Sequence, residues 1–211
     1  MKKFFSKIGI EVECHLVNVL DKPVDIEDLP DLKKDFIQYL DQHQLPTFSL
    51  EPQTSLIEFK TNPWLERDRL FRDIDAIYKL RYIAQAHNHD LLFMGMNQHT
   101  TSKDVLATRK PLHFGNFLSL AATHINIEIP ETYEDRFFNI LDYLQQWCLP
   151  FCTLMQSSPI LANEASGNQS ARQMFVSGMF GHHYDFYPKS LMSWDHVNKY
   201  IQLLNQSDNQ Y

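Results

Sequence analysis

The residues best placed to do chemistry begin with Gly9-Ile10-Glu11-Val12-Glu13-Cys14-His15. Side chains on a strand alternate between its two faces. Ile8, Ile10, Val12, Cys14 and Leu16 then form an apolar face, and Gly9, Glu11, Glu13 and His15 form the other. Two carboxylates that close repel, and solvent or a cation must offset the repulsion. Two later stretches repeat the pattern. Glu58 interrupts the apolar run Ser55-Leu56-Ile57-Glu58-Phe59, seven residues after Glu51. In Thr123–Ile129, the residues Ile125, Ile127 and Ile129 alternate with His124, Asn126 and Glu128. Strands sharing one sheet and one orientation would converge these groups on a single surface. Such an oxygen-rich set favours a hard cation, Mg²⁺ or Mn²⁺, over zinc. The alternative is the solvated outer face of an ordinary antiparallel sheet.

These strands need a scaffold to position them. The pattern predicts a first strand over 7–18, with a hairpin return at Pro23-Val24-Asp25. It predicts a helix capped by Asp31, with an inward stripe of Leu32, Phe36, Ile37 and Leu40, ending before Pro46. Residues 47–61 read as a loop and a second strand, closed by Asn62-Pro63. The longest helix is expected over 65–87, with Leu70, Ile74, Ile77, Arg81 and Ala84 near helical spacing. A short strand follows over 90–96, then an irregular loop over 97–112, then a strand region over 118–129. A helix over 132–156, kinked or divided at Pro150, a loop-rich stretch over 157–190 and a final helix over 193–204 complete the reading. Helices placed between strands point to an α+β domain with helices packed on one face of a sheet.

A chain of 211 residues, 44% hydrophobic, suits one globular domain, taken here as residues 1–211. No run of 18 apolar residues is present, so no membrane partner is expected. The apolar start is broken by Ser6, Lys7, Glu11 and Glu13, too early for a secretory signal. Three cysteines, an odd number, read as reduced thiols in a cytoplasmic protein. Cys148 and Cys152 read as core packing. A net charge of −7 with no basic cluster argues against a nucleic-acid partner.

Four motifs, in order, carry a resemblance. They are Gly9-Ile10-Glu11-Val12-Glu13, the segment from Glu51 to Phe59, Thr123-His124-Ile125-Asn126-Ile127, and Gly167-Asn168-Gln169-Ser170-Ala171-Arg172. Together they resemble the glutamate–cysteine ligase family, in particular its carboxylate–amine ligase branch, from about residue 7 to about residue 204. The resemblance implies a glutamine-synthetase-like catalytic domain, a curved, mainly antiparallel sheet whose concave face holds the site. It implies an ATP- and Mg²⁺-dependent (or Mn²⁺-dependent) ligase whose substrates are a small carboxylate, expected to be glutamate, and an amine. The reaction would form an amide through an acyl phosphate. Glu11, Glu13, Glu51 and Glu58 match the family's metal-holding acids, and Glu11 and His124 match positions that place ATP. Asn126, taken as nucleotide-binding, stands where many relatives have a second His, so it need not ligate metal. His124 and Arg172 match the catalytic groups, a guanidinium being able to grip carboxylate or phosphate bidentately.

The sequence also departs from the family pattern. Family members continue into a further strand with a Glu-x-Arg pattern, for which the chain up to Tyr211 offers no counterpart, and Thr54 replaces a common acid. On this reading a second copy or a partner chain would complete the site, or a different reaction would be run. Otherwise the protein would be a non-catalytic ligand- or partner-binding relative that keeps the fold and part of the metal site. Asn97, Gln98 and His99 replace a frequent Gly-Thr-His. The pair His182-His183 reads as loop histidines, and Arg109 and Lys110 as cations able to reach phosphate.

Overall fold

The computed structural model describes residues 6–51, 53–95, 121–140, 143–144, 160–161 and 164–165. The chain divides into two compact units. One comprises Met1–Glu128 with Ser157–Arg172, and the other Ile129–Gln156 with Gln173–Tyr211. The first holds an open antiparallel sheet with two helices, an α+β arrangement.

The sheet is organised around β1 (Ile8–Asn18). On one side β1 pairs with β3 (Leu56–Lys60), which carries the two-residue β2 (Ser49–Leu50) at the edge. On its other side β1 pairs with β4 (His89–Leu92) through its C-terminal half and with β5 (Thr123–Ile127) through its N-terminal half. Every pairing is antiparallel. Val17 bridges Pro23 and the Val24 amide donates to the Leu16 carbonyl, which is the expected hairpin return.

Alternation decides which face is covered. Val12 lies opposite Phe59, Cys14 opposite Ile57, and Leu16 opposite Leu91. All six are buried and form one cluster with helices α1 (Pro30–Gln42) and α2 (Arg67–Ala86). α1 contributes Leu32, Phe36 and Leu40 at spacings of four, one stripe of a helix. Its first turn starts at Pro30, whose missing N–H costs nothing there. Asp31 therefore lies inside the first turn and is not the cap; Leu29 holds that position without a side-chain cap. Ile37, expected inward, is 37% exposed, because 36 and 37 are too far apart in angle for both to face the sheet.

α2 buries Leu70, Ala76, Ile77, Leu80 and Ala84. Ile74 is only half-buried, and Arg81 points away from the core to make a bidentate pair with Asp90, both contacts 2.7 Å. α2 and α1 are capped at His87 and His43, and the residues that follow, Asn88 and Gln44, lie in the left-handed region at φ 59° and 56°. Phe36, Phe48 and Phe59 meet edge to face, with centroids 5.8–6.3 Å apart.

The segment between β3 and α2 pairs with β1 through Thr61 and Trp64, and one carboxylate of α2 ties it to that helix. Asp73 Oδ2 accepts from the Asn62 amide at 3.0 Å and from Trp64 Nε1 at 2.8 Å. Asp73→Ala should leave both donors unpaired and lower stability by about 2–4 kcal/mol, read from a urea denaturation midpoint. An unchanged midpoint would show that water replaces Asp73 there.

In the second unit, a 3₁₀ helix Glu131–Arg136 leads into helical residues 137–140, where Phe137 and Phe138 meet edge to face. A helix thus starts where the sequence indicated. The loop expected over 97–112, the divided helix at Pro150, the helix over 193–204, and the residues Cys148, Cys152, Arg172, His182 and His183 lie outside the described residues. Among the described residues no helix is long and apolar enough to cross a membrane.

Candidate metal centre

The face of the sheet opposite the helices carries the polar set. Register alone brings its members together. Glu13 lies directly opposite Glu58 on β3, and Glu11 directly opposite His124 on β5. Gly9 lies opposite Asn126, and Glu11 is also opposite Lys60 on its other side. Three neighbouring strands thus present their outward residues to one patch.

Glu51 arrives by a different route. Seven residues separate it from Glu58, which on one straight strand would put them on opposite faces. The chain instead reverses through a turn at Thr54-Ser55, and β2 runs back along β3. The Glu51 amide donates to the Leu56 carbonyl at 3.2 Å, which places Glu51 beside Glu58 on the acidic face. Two overlapping groups result: Glu11, Glu58 and His124, and Glu13, Glu51 and Glu58. Within each group, one potential ligand atom per residue lies within 4.8 Å of the others. Glu58 belongs to both.

Each carboxylate has partial compensation. His124 Nδ1 lies 3.2 Å from Glu11 Oε2, and its Nε2 lies 3.9 Å from Glu13 Oε1. Glu13 Oε2 accepts from the Ala122 amide at 2.7 Å, which fixes its rotamer against β5. Glu58 is 7% exposed and pairs with Lys60 Nζ at 2.8 Å. That compensation is incomplete. Burial pushes the Glu13 carboxyl above its ordinary range, against the pull of the Ala122 amide and His124. Burial and the neighbouring Glu58 raise Glu51 in the same way. Carboxylates that resist ionisation side by side gain most from a divalent cation. Their oxygen donors, with one imidazole, fit Mg²⁺ or Mn²⁺.

Beside this patch lies a cavity of about 410 Å³, lined among others by Lys7, Gly9, Glu11, Lys60, Thr61 and Asn126. Its volume falls in the usual range for a small-molecule site. Asn126 therefore faces a cavity next to the acidic cluster and is not one of the grouped ligands. Of the residues singled out in the sequence, Glu11, Glu13, Glu51, Glu58 and His124 are brought together. Arg172 lies outside the described residues.

Lys60 has no role in the sequence reading, and the burial of His15 is not foreseen there. Lys60 sits two after Glu58, hence on the same face, and an alternation count across β3 reveals it. His15 shares the polar face of β1 yet is fully buried between the Leu56 and Leu92 positions, and neither ring nitrogen has a partner. Burial lowers its pKa from 6.5 to about 4.

The unfolded chain therefore binds a proton at His15 that the folded chain refuses. Folding stability should fall as pH drops through 6.5 towards 4. Against His15→Leu, the wild-type protein should lose on the order of 3 kcal/mol between pH 7 and pH 4. Parallel urea titrations of the two proteins across that range give the difference directly. A constant gap would mean that His15 takes up its proton in the folded state.

The family model described as glutamate–cysteine ligase family 2 matches residues 7–207. No curated protein matches the chain.

Proposed function

The chain belongs to glutamate–cysteine ligase family 2, and from that premise we propose that it is an ATP- and Mg²⁺-dependent (or Mn²⁺-dependent) carboxylate–amine ligase. The observation that carries this reading is the convergence of Glu11, Glu13, Glu51, Glu58 and His124 on one sheet face beside a cavity. Joining an acid to an amine with ATP brings a carboxylate against a triphosphate, and that charge must be neutralised for the two to approach.

In this reading Glu11, Glu13, Glu51 and Glu58 would hold divalent metal, which would supply positive charge to offset that of the phosphates. Glu58, common to both groups, would be a ligand in either. His124, half-exposed beside Glu11 and Glu13, faces the charge that develops on the transferred phosphoryl group. Asn126 offers an amide to the nucleotide from the cavity wall. Arg172 grips the substrate carboxylate. That substrate, which we take to be glutamate, attacks the γ-phosphate through a carboxylate oxygen. ADP leaves as the acyl phosphate forms; the amine nitrogen then attacks the acyl carbon, expels inorganic phosphate and gives up a proton, leaving an amide. The sheet itself would be the floor of a glutamine-synthetase-like site.

The test is phosphate release from ATP with glutamate and a panel of amines, alongside detection of the amide by mass spectrometry. Release that needs acid, amine and metal together, with one amide formed per phosphate, is expected. ATP turnover without amide, or none with any amine, would contradict the proposal.

A further inference from the structure

Lys60 is the cation already present in the acidic patch, and the ligase reading gives it no task. Its place is set by alternation. Leu56, Glu58 and Lys60 share the face of β3 away from the helices, where Lys60 alone of the three is partly exposed, while Ile57 and Phe59 enter the core. The register puts Lys60 opposite Glu11, and its Nζ lies 2.8 Å from Glu58 Oε1. The ammonium thus sits on the one carboxylate that both candidate metal groups require. A metal ion and an ammonium cannot share that oxygen without strong repulsion. Glu58 is almost fully buried, so it cannot stand unpaired either. Divalent metal and the Lys60 ammonium therefore compete for Glu58.

The second observation is where the side chain can go. Lys60 is partly exposed and forms part of the wall of the 410 Å³ cavity, as does Lys7. A lysine turned away from Glu58 stays on the patch and adds its charge to that cavity. From this we propose that Lys60 is a resident counter-cation, displaced from Glu58 by divalent metal and thereby made available to an anionic, phosphate-bearing ligand in the adjoining cavity. The inference rests on the metal reading of the acidic patch given above. It makes Lys60 a positioning residue that couples the two ligands: metal binding supplies a cation for the anion, and the anion holds Lys60 away from the metal. Such coupling is reciprocal.

Calorimetric titration of wild type, Lys60→Gln and Lys60→Arg with Mn²⁺ alone, and with inorganic tripolyphosphate at saturating Mn²⁺, tests both halves. Lys60→Gln should bind Mn²⁺ at least about tenfold tighter than wild type, because its metal no longer competes with an ammonium. It should bind tripolyphosphate more weakly than wild type by a similar factor. Lys60→Arg, which keeps a charged partner for Glu58, should bind Mn²⁺ no tighter than wild type. Far-ultraviolet circular dichroism on the same samples confirms that all three are folded; the exposed end of this side chain makes that the expected result. Mn²⁺ affinity that does not depend on residue 60 overturns the inference and leaves the metal reading intact. Unchanged tripolyphosphate affinity overturns the coupling. Absence of Mn²⁺ binding in all three proteins overturns the inference together with the reading beneath it.

Discussion

Glu58→Gln should abolish the metal response of the protein. Mn²⁺ is expected to raise the wild-type melting temperature by mass action, and to leave that of the variant unchanged at the same concentration. Activity should drop by about 10²-fold or more, the scale on which fixed groups stabilise transition-state charge. The reason is topological. Glu58 is the carboxylate shared by Glu11 and His124 on one side and by Glu13 and Glu51 on the other. Losing it leaves two incomplete pairs rather than one weakened site. Without metal, the variant loses the Lys60 contact and also the repulsion from Glu13 directly opposite. Those changes oppose each other, so stability of the metal-free protein should move by less than about 1 kcal/mol. A variant that keeps the full metal-dependent rise would remove Glu58 from the metal centre.

Phe59→Ala should be among the most damaging core changes at the described residues. Phe59 is fully buried and touches Phe36 and Phe48, so it joins the sheet to α1. Truncation removes a whole ring from a packed junction, at a cost of about 3–5 kcal/mol. Domains of this kind hold only about 5–15 kcal/mol in total. Chemical denaturation should show a midpoint shifted by a large fraction of its wild-type value. Because Phe59 lies between Glu58 and Lys60, the acidic face should loosen too, and metal affinity should fall with stability. Phe59→Leu, which keeps most of the volume, should recover most of both. A small loss in Phe59→Ala, under about 1 kcal/mol, would mean that the core repacks around the gap.

The site face was legible wherever a strand shows strict alternation. In β1 and β5 the period of two separates carboxylate and imidazole from isoleucine and valine, so Glu11, Glu13, His124 and Asn126 could be assigned to one face. Glu51 was legible only as a motif position, because a turn at Thr54-Ser55 places it and no periodicity crosses a turn. The helices were legible in extent and less so in facing. In α2, Arg81 falls near the apolar spacing but its charge finds Asp90 on β4, a partner far enough along the chain that no local count includes it. His15 shows the opposite failure. Alternation assigns its face correctly but says nothing of what covers that face, and here it is buried without a partner. Lys60, two residues after Glu58, shares its face by the same alternation, but the sequence pattern does not tell a counter-charge from a solvated lysine.

The central claim is that the acidic face binds nucleotide through a divalent metal. Calorimetric titration of the wild-type chain with ATP, with and without Mg²⁺, tests it most directly. The account predicts a saturable heat with Mg²⁺ present and little or none when the metal is chelated. Equal binding with and without Mg²⁺, or none in either case, would contradict it.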